Sequence, residues 1–470
     1  MSKSHTVVDL FSGAGGFSLG FHRAGFRIVA AVDHDELAGE TFRRNFSQLQ
    51  PEHPPLVFSG EEGDMCAFPF EEIEPPDVVI GGPPCQAYSK IGRGKLASLS
   101  DRSFAEDPRN ALYRAFVNAI ATWRPKALVM ENVPGMLSVE GRNVADQVAE
   151  DLAECGYDVR YTMLNAVWYG VPQHRERLFF LGYRNDLGIE PSFPEPERRP
   201  ASHGGYMHRD SDIAIPLTFD FFQDRRIYMD TRSAPLLPIS VYEALHDLPR
   251  IIDHLDPESP HRRGFRQPRG YESEYESEYA KLMRNWAGLP ESKELDDHAF
   301  RRTPRDYETF RRMREGDRYP AAVNIAWERA EVEFKWLGRH GFDVSPGTET
   351  YRRVLRECVP PYGDAWERRE GGAWNREFLD RWKKLVRDQP SWTIPAHLSK
   401  DSYSHIHYDH EQARMISVRE AARLQSFPDA FRFVGNMGDC FRQIGNAVPP
   451  LLANAIARSI RSAGRPEYAS

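Results

Sequence analysis

Val7-Val8-Asp9-Leu10-Phe11-Ser12-Gly13-Ala14-Gly15-Gly16-Phe17-Ser18-Leu19-Gly20 reads as a short apolar strand, a glycine-rich turn and the opening of a helix. Glycine lets the backbone approach a ligand closely, and a helix that follows presents free N–H groups. The next apolar run, Arg27-Ile28-Val29-Ala30-Ala31-Val32, closes on Asp33. A carboxylate at that strand end, about 20 residues on, is placed to take ribose hydroxyls. The glycine spacing departs from GxGxxG, the pattern that goes with a bound pyrophosphate. A nucleoside-containing cofactor on an α/β sheet is the natural reading, although a glycine turn alone also serves to tighten a strand–helix junction.

Asp77-Val78-Val79-Ile80 is a second buried-type strand, and Gly81-Gly82-Pro83-Pro84-Cys85-Gln86-Ala87-Tyr88-Ser89 follows it directly. Open α/β sheets place their ligands at the C-terminal ends of strands. Cys85 therefore stands on a stiff, proline-bounded turn where chemistry is expected. A lone cysteine is equally at home as a small buried hydrophobe, so the block leaves nucleophile and core residue both open.

Four further blocks occur downstream: Met130-Glu131-Asn132-Val133, Gly170-Val171-Pro172-Gln173-His174-Arg175-Glu176-Arg177, Arg419 through Pro428, and Gln443-Ile444-Gly445-Asn446-Ala447-Val448-Pro449-Pro450. Together, and in this order over most of the chain, the six blocks resemble the DNA (cytosine-5) methyltransferase family, bacterial enzymes of the restriction–modification or solitary type. The resemblance implies a Rossmann-like, S-adenosylmethionine-dependent methyltransferase fold: α/β, a mixed, mostly parallel sheet with helices on both faces, plus an inserted target-recognition domain.

The resemblance also implies the chemistry. Cytosine C5 is a poor nucleophile until something adds at C6, and the family uses a thiolate, here Cys85 on the Pro84 turn. Glu131 protonates or hydrogen-bonds N3, C5 takes a methyl group from S-adenosylmethionine, and loss of the C5 proton expels the cysteine. A carboxyl acting as donor near neutral pH calls for a desolvated site, and Glu131 follows the apolar run Ala127-Leu128-Val129-Met130. Arg175 and Arg177, two apart on an extended segment, point to one face; with Gln173 they are expected at the active-site edge. Carried over by position, the cofactor pocket uses Phe11, Ser12, Gly13, Gly15, Gly16, Asp33, His34, Asp64, Met65, Leu112, Asn446 and Val448. Two departures stand out. The ribose carboxylate is usually Glu and is Asp33 here, and the aromatic residue after it is His34.

Between Cys85 and Leu112, the stretch with Lys90, Arg93, Gly94, Lys95, Arg102 and Arg109 combines glycine hinges with cations. A base inside a duplex must be extruded and covered, so this reads as a closing loop, with Gln86, Ser89, Arg93, Lys95 and Arg109 meeting DNA.

The chain has 470 residues, 40% hydrophobic and 28% charged, too long for one ordinary domain and ordinary for a globular protein. No apolar stretch approaches the roughly 20 residues a bilayer needs. Five scattered cysteines suit a reducing compartment and no disulfide framework, so a cytoplasmic, nucleoid-associated protein without membrane contact is expected. The net charge of −8 argues against a uniformly basic nucleic-acid binder. Local distribution matters more than the sum: His261 through Arg269, with Arg262 and Arg263, and Arg301-Arg302 continuing to Arg314 are basic enough to track double-stranded DNA. Arg419 is expected there too. Tyr271, Tyr275 and Tyr279 recur every fourth residue among glutamates, which predicts one helix packed by its tyrosines.

The βα alternation occupies residues 1–200, a proline-rich linker runs from Pro191 to Pro200, and the family blocks resume near 417. The catalytic domain is thus expected to be discontinuous, 1–200 and 437–470, with the target-recognition domain and hinge at 201–436 and a variable core at about 255–388. His405, His407 and His410 lie close together without a CxxC pair, and a structural zinc site wants four ligands; no metal is expected. The tRNA-methylating branch shares the catalytic blocks, but the large insertion and the missing Cys-Phe-Thr signature speak against it. An inactive DNA-binding relative would generally lose the cysteine or the cofactor turn, and both are present. A cognate restriction endonuclease and action as a monomer complete the expectations.

Overall fold

A computed structural model of the chain describes residues 5–84, 111–137, 143–200, 225–256, 258, 268–295, 297–360, 381–399 and 403–463. Seven strands form one sheet: β1 (Thr6–Leu10), β2 (Arg27–Asp33), β3 (Leu56–Ser59), β4 (Val78–Gly81), β5 (Ala127–Asn132), β6 (Tyr157–Asn165) and β7 (Glu176–Arg184). Their order is β3-β2-β1-β4-β5-β7-β6. The first five strands pair parallel, and β7 runs antiparallel to both β5 and β6. Alternate residues supply two cores. Val7, Ile28, Val78 and Val129 face one side, while Val8, Val32, Val79 and Leu128 face the other. Parallel strands covered on both faces read as continuous apolar runs, which is why β1, β2 and β4 were legible.

Helices α1 (Gly16–Arg23) and α2 (Glu36–Leu49) pack on the first face, and α3 (Ala111–Trp123) and α4 (Val144–Glu154) on the second. The strand order reverses between β1 and β4. In open α/β sheets, the crevice at such a switch point is where ligands bind. Both glycine-bearing turns found in the sequence leave the sheet there.

The rest of the chain adds α5 (Val241–Leu245), α6 (Glu278–Arg284), α7 (Tyr307–Arg312), α8 (Tyr319–Arg339), α9 (Glu349–Cys358), α10 (Val418–Leu424), α11 (Met437–Asn446) and α12 (Pro450–Ala463). A separate core collects Ile251, Phe310, Trp327, Val354, Trp382 and Met415. Val241, Tyr279, Leu385 and Val418 instead join the first sheet core. Helix α12 returns to α1 so closely that a Cβ on Gly20 would stand 2.4 Å from Ala453 Cβ.

The tyrosine-packed helix is not formed. Helix α6 begins only at Glu278, capped by Ser277, whose hydroxyl accepts from Ala280 N at 3.0 Å. The preceding backbone is claimed by other segments: Glu272 N donates to Asp247 O, and Ser273 O accepts from Arg284. Tyr271 lies under the Arg284 guanidinium, 3.6 Å from ring centroid to Cζ, and donates its hydroxyl proton to Asp429 at 2.6 Å. The proline-rich stretch is likewise tied down, with Glu197 N and Arg198 N both donating to Trp168 O.

Candidate active site

Strand β1 delivers its chain into the crevice through a strained turn. Phe11 adopts φ 59°, Gly13 φ 52° and Gly15 φ 92°, a left-handed region costly for a side chain. Gly13 N donates to Asp33 Oδ2 at 2.7 Å, and Asp35 N donates to Asp33 Oδ1 at 2.7 Å. One carboxylate thereby holds both the glycine turn and the start of α2. Each oxygen keeps a further lone pair for a ligand hydroxyl. Burial pushes the Asp33 carboxyl up, partly offset by those two N–H donors. Behind it, Asp9 is buried and accepts from Ser18 Oγ at 2.6 Å; burial raises its pKa to about 7.

A cavity of about 700 Å³ opens on this turn, within the size range of small-molecule and cofactor sites. Its wall includes Phe11, Ser12, Gly13, Asp33, His34, Asp64, Met65, Leu112, Asn446 and Val448. Ser12 Oγ is buried without a hydrogen-bond partner among the described residues. Such an orphan hydroxyl in a cavity wall, beside apolar Phe11, Met65 and Val448 and a free-edged carboxylate, fits a ligand that is part aromatic and part polar.

The same cavity is lined at its other end by Gly82, Pro83, Pro84, Glu131, Asn132, Val133, Arg175 and Arg177. Asn132 Nδ2 donates to Pro83 O at 3.2 Å and fixes the proline turn. Arg177 Nε lies 2.9 Å from Glu131 Oε1. Arg175 is buried, and its Nη1 and Nη2 donate to the carbonyls of Ile394 at 3.0 Å and Gly445 at 2.8 Å. Its Nε has no partner among the described residues. Burial raises the Glu131 pKa against the opposing pull of Arg177 and Arg175. Burial also depresses both arginines, Arg175 more strongly.

Several residues named from sequence take other places. Gly15 and Gly16 do not line the cavity; they are packing glycines. A Cβ on Gly15 would lie 2.7 Å from the Phe42 ring, and one on Gly16 would lie 2.4 Å from Val448 O. Gln173 is fully buried and bonded to Leu424, Gln425 and Ile394, away from the cavity wall. Arg419 cannot meet DNA. It is 0% exposed, paired with Asp297, and donates to the carbonyls of Pro428 and Phe431. Arg301 and Arg302 are half-buried. Cys85, Gln86, Ser89, Arg93, Lys95, Arg109, Arg262 and Arg263 lie outside the described residues. Sequence reasoning missed Asp9, Asn132 and Arg442 in the cavity wall. An aspartate inside an otherwise apolar strand was the available signal for Asp9. His405 and His407 are buried, hydrogen-bonded histidines, and His410 is exposed.

A family model described as C-5 cytosine-specific DNA methylase matches residues 5–221 and 309–462. The chain belongs to this family. As a C5 methylase it is a DNA (cytosine-5-)-methyltransferase, and enzymes of this kind use S-adenosylmethionine. A chain of Oceanobacillus iheyensis named M.OihORF3336P, provisionally classed as a type II methyltransferase, is 36% identical over 98% of this chain and 96% of its own length. The type II methyltransferase M.AgeI of Thalassovita gelatinovora is 33% identical over 97% of this chain and 99% of its own. For the fold, an E. coli crystal structure provisionally described as a prophage-encoded DNA modification methyltransferase superposes with a TM-score of 0.61 at 22% identity, covering 98% of this chain and 99% of that one. No helix among the described residues of this C5 methylase is long and apolar enough to cross a membrane.

Proposed function

We propose that the crevice at the β1/β4 switch point methylates an extruded cytosine, with the cofactor at the glycine-turn end and the base at the Glu131 end. The observation that carries this reading is one continuous cavity shared by Phe11, Ser12, Asp33 and Asn446 with Pro84, Glu131, Arg175 and Arg177. S-adenosylmethionine, when bound, supplies a methyl group activated by its sulfonium. Phe11 and Met65 offer apolar cover for its adenine, Asp64 the amino-group partner, and Asp33 the ribose contact, with Ser12, Gly13, His34, Leu112, Asn446 and Val448 completing the wall.

Cys85, directly after Pro84, adds its thiolate to cytosine C6. Glu131 gives a proton or a short hydrogen bond to N3, which makes C6 more electrophilic, and the addition at C6 leaves an enamine that is nucleophilic at C5. Arg177 orients the Glu131 carboxyl, and Arg175, whose Nε has no partner among the described residues, stands at the base end. After C5 has gained the methyl group, its proton leaves to a water, the C5–H electron pair re-forms the C5=C6 double bond, the Sγ–C6 bond breaks to release the thiolate, and N3 returns its proton to Glu131. Removing water from this pocket strengthens each of these contacts.

Residues 1–200 and 437–470 form the catalytic unit in this reading, and 201–436 the target-recognition unit, its variable heart at about 255–388. Double-stranded DNA is the substrate. Arg301 and Arg302, with Gln86, Ser89, Arg93, Lys95, Arg109, Arg262 and Arg263, belong to its surface. The type II relatives favour a cognate restriction endonuclease as functional partner, with the methylase acting as a monomer in the cytoplasm at the nucleoid.

Bisulfite sequencing of a methylation-deficient host expressing this chain, beside Cys85→Ala, is the test. Conversion-resistant cytosines in one short repeated sequence, present only with Cys85, are expected. Their absence, from a folded and cofactor-binding protein, would overturn the reading.

A further inference from the structure

Four segments far apart in sequence meet behind the cavity wall, and two amide side chains join them. Gln173 and Gln425 are both fully buried. Gln173 Nε2 donates to Leu424 O at 3.1 Å and to Gln425 Oε1 at 2.5 Å, and its Oε1 accepts from Ile394 N at 2.9 Å. Gln425 Nε2 donates onward to Ala447 O at 2.7 Å. Ile394, whose carbonyl accepts from the Arg175 guanidinium, is bonded directly to Gln173, and Gly445, the other carbonyl on that guanidinium, stands two residues before Ala447, where Gln425 is bonded. The joint has no slack: a Cβ on Gly445 would lie 2.5 Å from Ala396 N.

We propose that Gln425 and Gln173 are positioning residues, a buried amide relay that sets the base end of the cavity, through Arg175, and the cofactor end, through Ala447 and Val448, in a single register. The proposal rests on the roles given above to Arg175 and the Asn446–Val448 wall. Gln425 directly follows α10, so the segment that carries the buried arginines Arg419 and Arg423 also sets the geometry of the reacting groups. A buried hydrogen-bond chain has this property because each member leaves its neighbours unpaired when removed. A purely structural amide pair would lower stability without touching cofactor affinity or the methyl-transfer step.

The test compares the full chain with Gln425→Met, Gln173→Met and the double variant, which keep side-chain length and remove the amides. Calorimetry gives the S-adenosylmethionine Kd, and single-turnover assays on duplex DNA give the transfer rate, both below the melting temperature of each variant. Each single change is expected to weaken cofactor binding about tenfold and slow transfer about tenfold, the scale of one buried group left unpaired. The double variant should fall no more than about threefold below the worse single one, because both changes cut one relay. Kd and rate unchanged beside a lowered melting temperature, or losses that simply multiply, would overturn the proposal. Gln425→Glu keeps the acceptor that Gln173 uses and loses the donor to Ala447; if the methionine variants fail to fold, a raised cofactor Kd in it supports the relay and an unchanged one overturns it. Wild-type protein without methyl transfer defeats the proposed function, whereas an active wild type with normal variants defeats the relay alone.

Discussion

Two glutamates of this chain face arginines, buried Glu420 and half-buried Glu131, and the protein moves their carboxyl pKa values in opposite directions. Glu420, at the start of α10, accepts from both Nη atoms of Arg414 at 2.7 Å and from Ser417 N at 2.7 Å, with His407 Nε2 at 3.5 Å. Burial alone pushes its carboxyl up, but Arg414 and His407 outweigh burial and hold it well below the usual carboxylate range. Glu131, at the end of β5, meets Arg177 through one close contact among the described residues, and there burial wins and the pKa rises. The number of donors reaching the carboxylate decides which effect prevails. A fully paired buried acid is a structural joint. An underpaired one facing a cavity retains chemistry to perform.

The sharpest way to break the comparison is at Arg423, which is 0% exposed and bonded to Asp429 at 2.6 Å through Nε and Nη2 and to Asp247 at 2.8 Å through Nη1. Arg423→Met removes the cation that two buried carboxylates share, leaving Asp247 with Arg284 Nε at 2.8 Å and Asp429 with the more distant Arg419, and is expected to cost about 3–5 kcal/mol. Urea unfolding would show it as a lowered midpoint; an unchanged midpoint would mean the network is not structural. Next in size is Glu420→Gln. The folded pKa of Glu420 lies below its unfolded value, so its stabilisation is present above that unfolded value, about 4.3, and is lost as pH falls below it. The variant should lose about 2 kcal/mol at neutral pH, the worth of charge-assisted hydrogen bonds, and show a flatter stability curve on acidification. Glu131 has the opposite sign: its raised folded pKa makes ionisation destabilising as pH climbs. Smallest is Arg177→Met, which removes the one cation paired with Glu131 among the described residues. Its carboxyl should titrate higher still, the pH–rate profile should shift upward, and transfer should slow about tenfold to a hundredfold, the scale of one lost hydrogen bond to a charged group, while the melting temperature changes little.

The glycine turn and the place of Asp33 beside it were legible because strand, glycine turn and acid follow one another locally, and β2 brings Asp33 back beside Gly13. Glu131 and the Arg175/Arg177 pair were legible from family blocks at strand ends. What stayed hidden was set by distant partners. Arg419 reads as a DNA-facing cation until Asp297, 122 positions earlier, is seen to close on it. Gly15 and Gly16 carry the letters of a ligand loop, yet Phe42 and Val448 occupy the space a side chain would need. The tyrosine period failed similarly, since Asp247 and Arg284 claim the backbone groups that a longer helix requires.

The account turns on Glu131 being the underpaired acid that serves the reaction, and Glu131→Gln tests it most directly. Single-turnover methyl transfer to duplex DNA should slow by about 100- to 10,000-fold, the range of a lost general acid, with cofactor Kd and melting temperature close to wild type. A Glu131→Gln enzyme that transfers methyl groups at the wild-type rate would contradict the account.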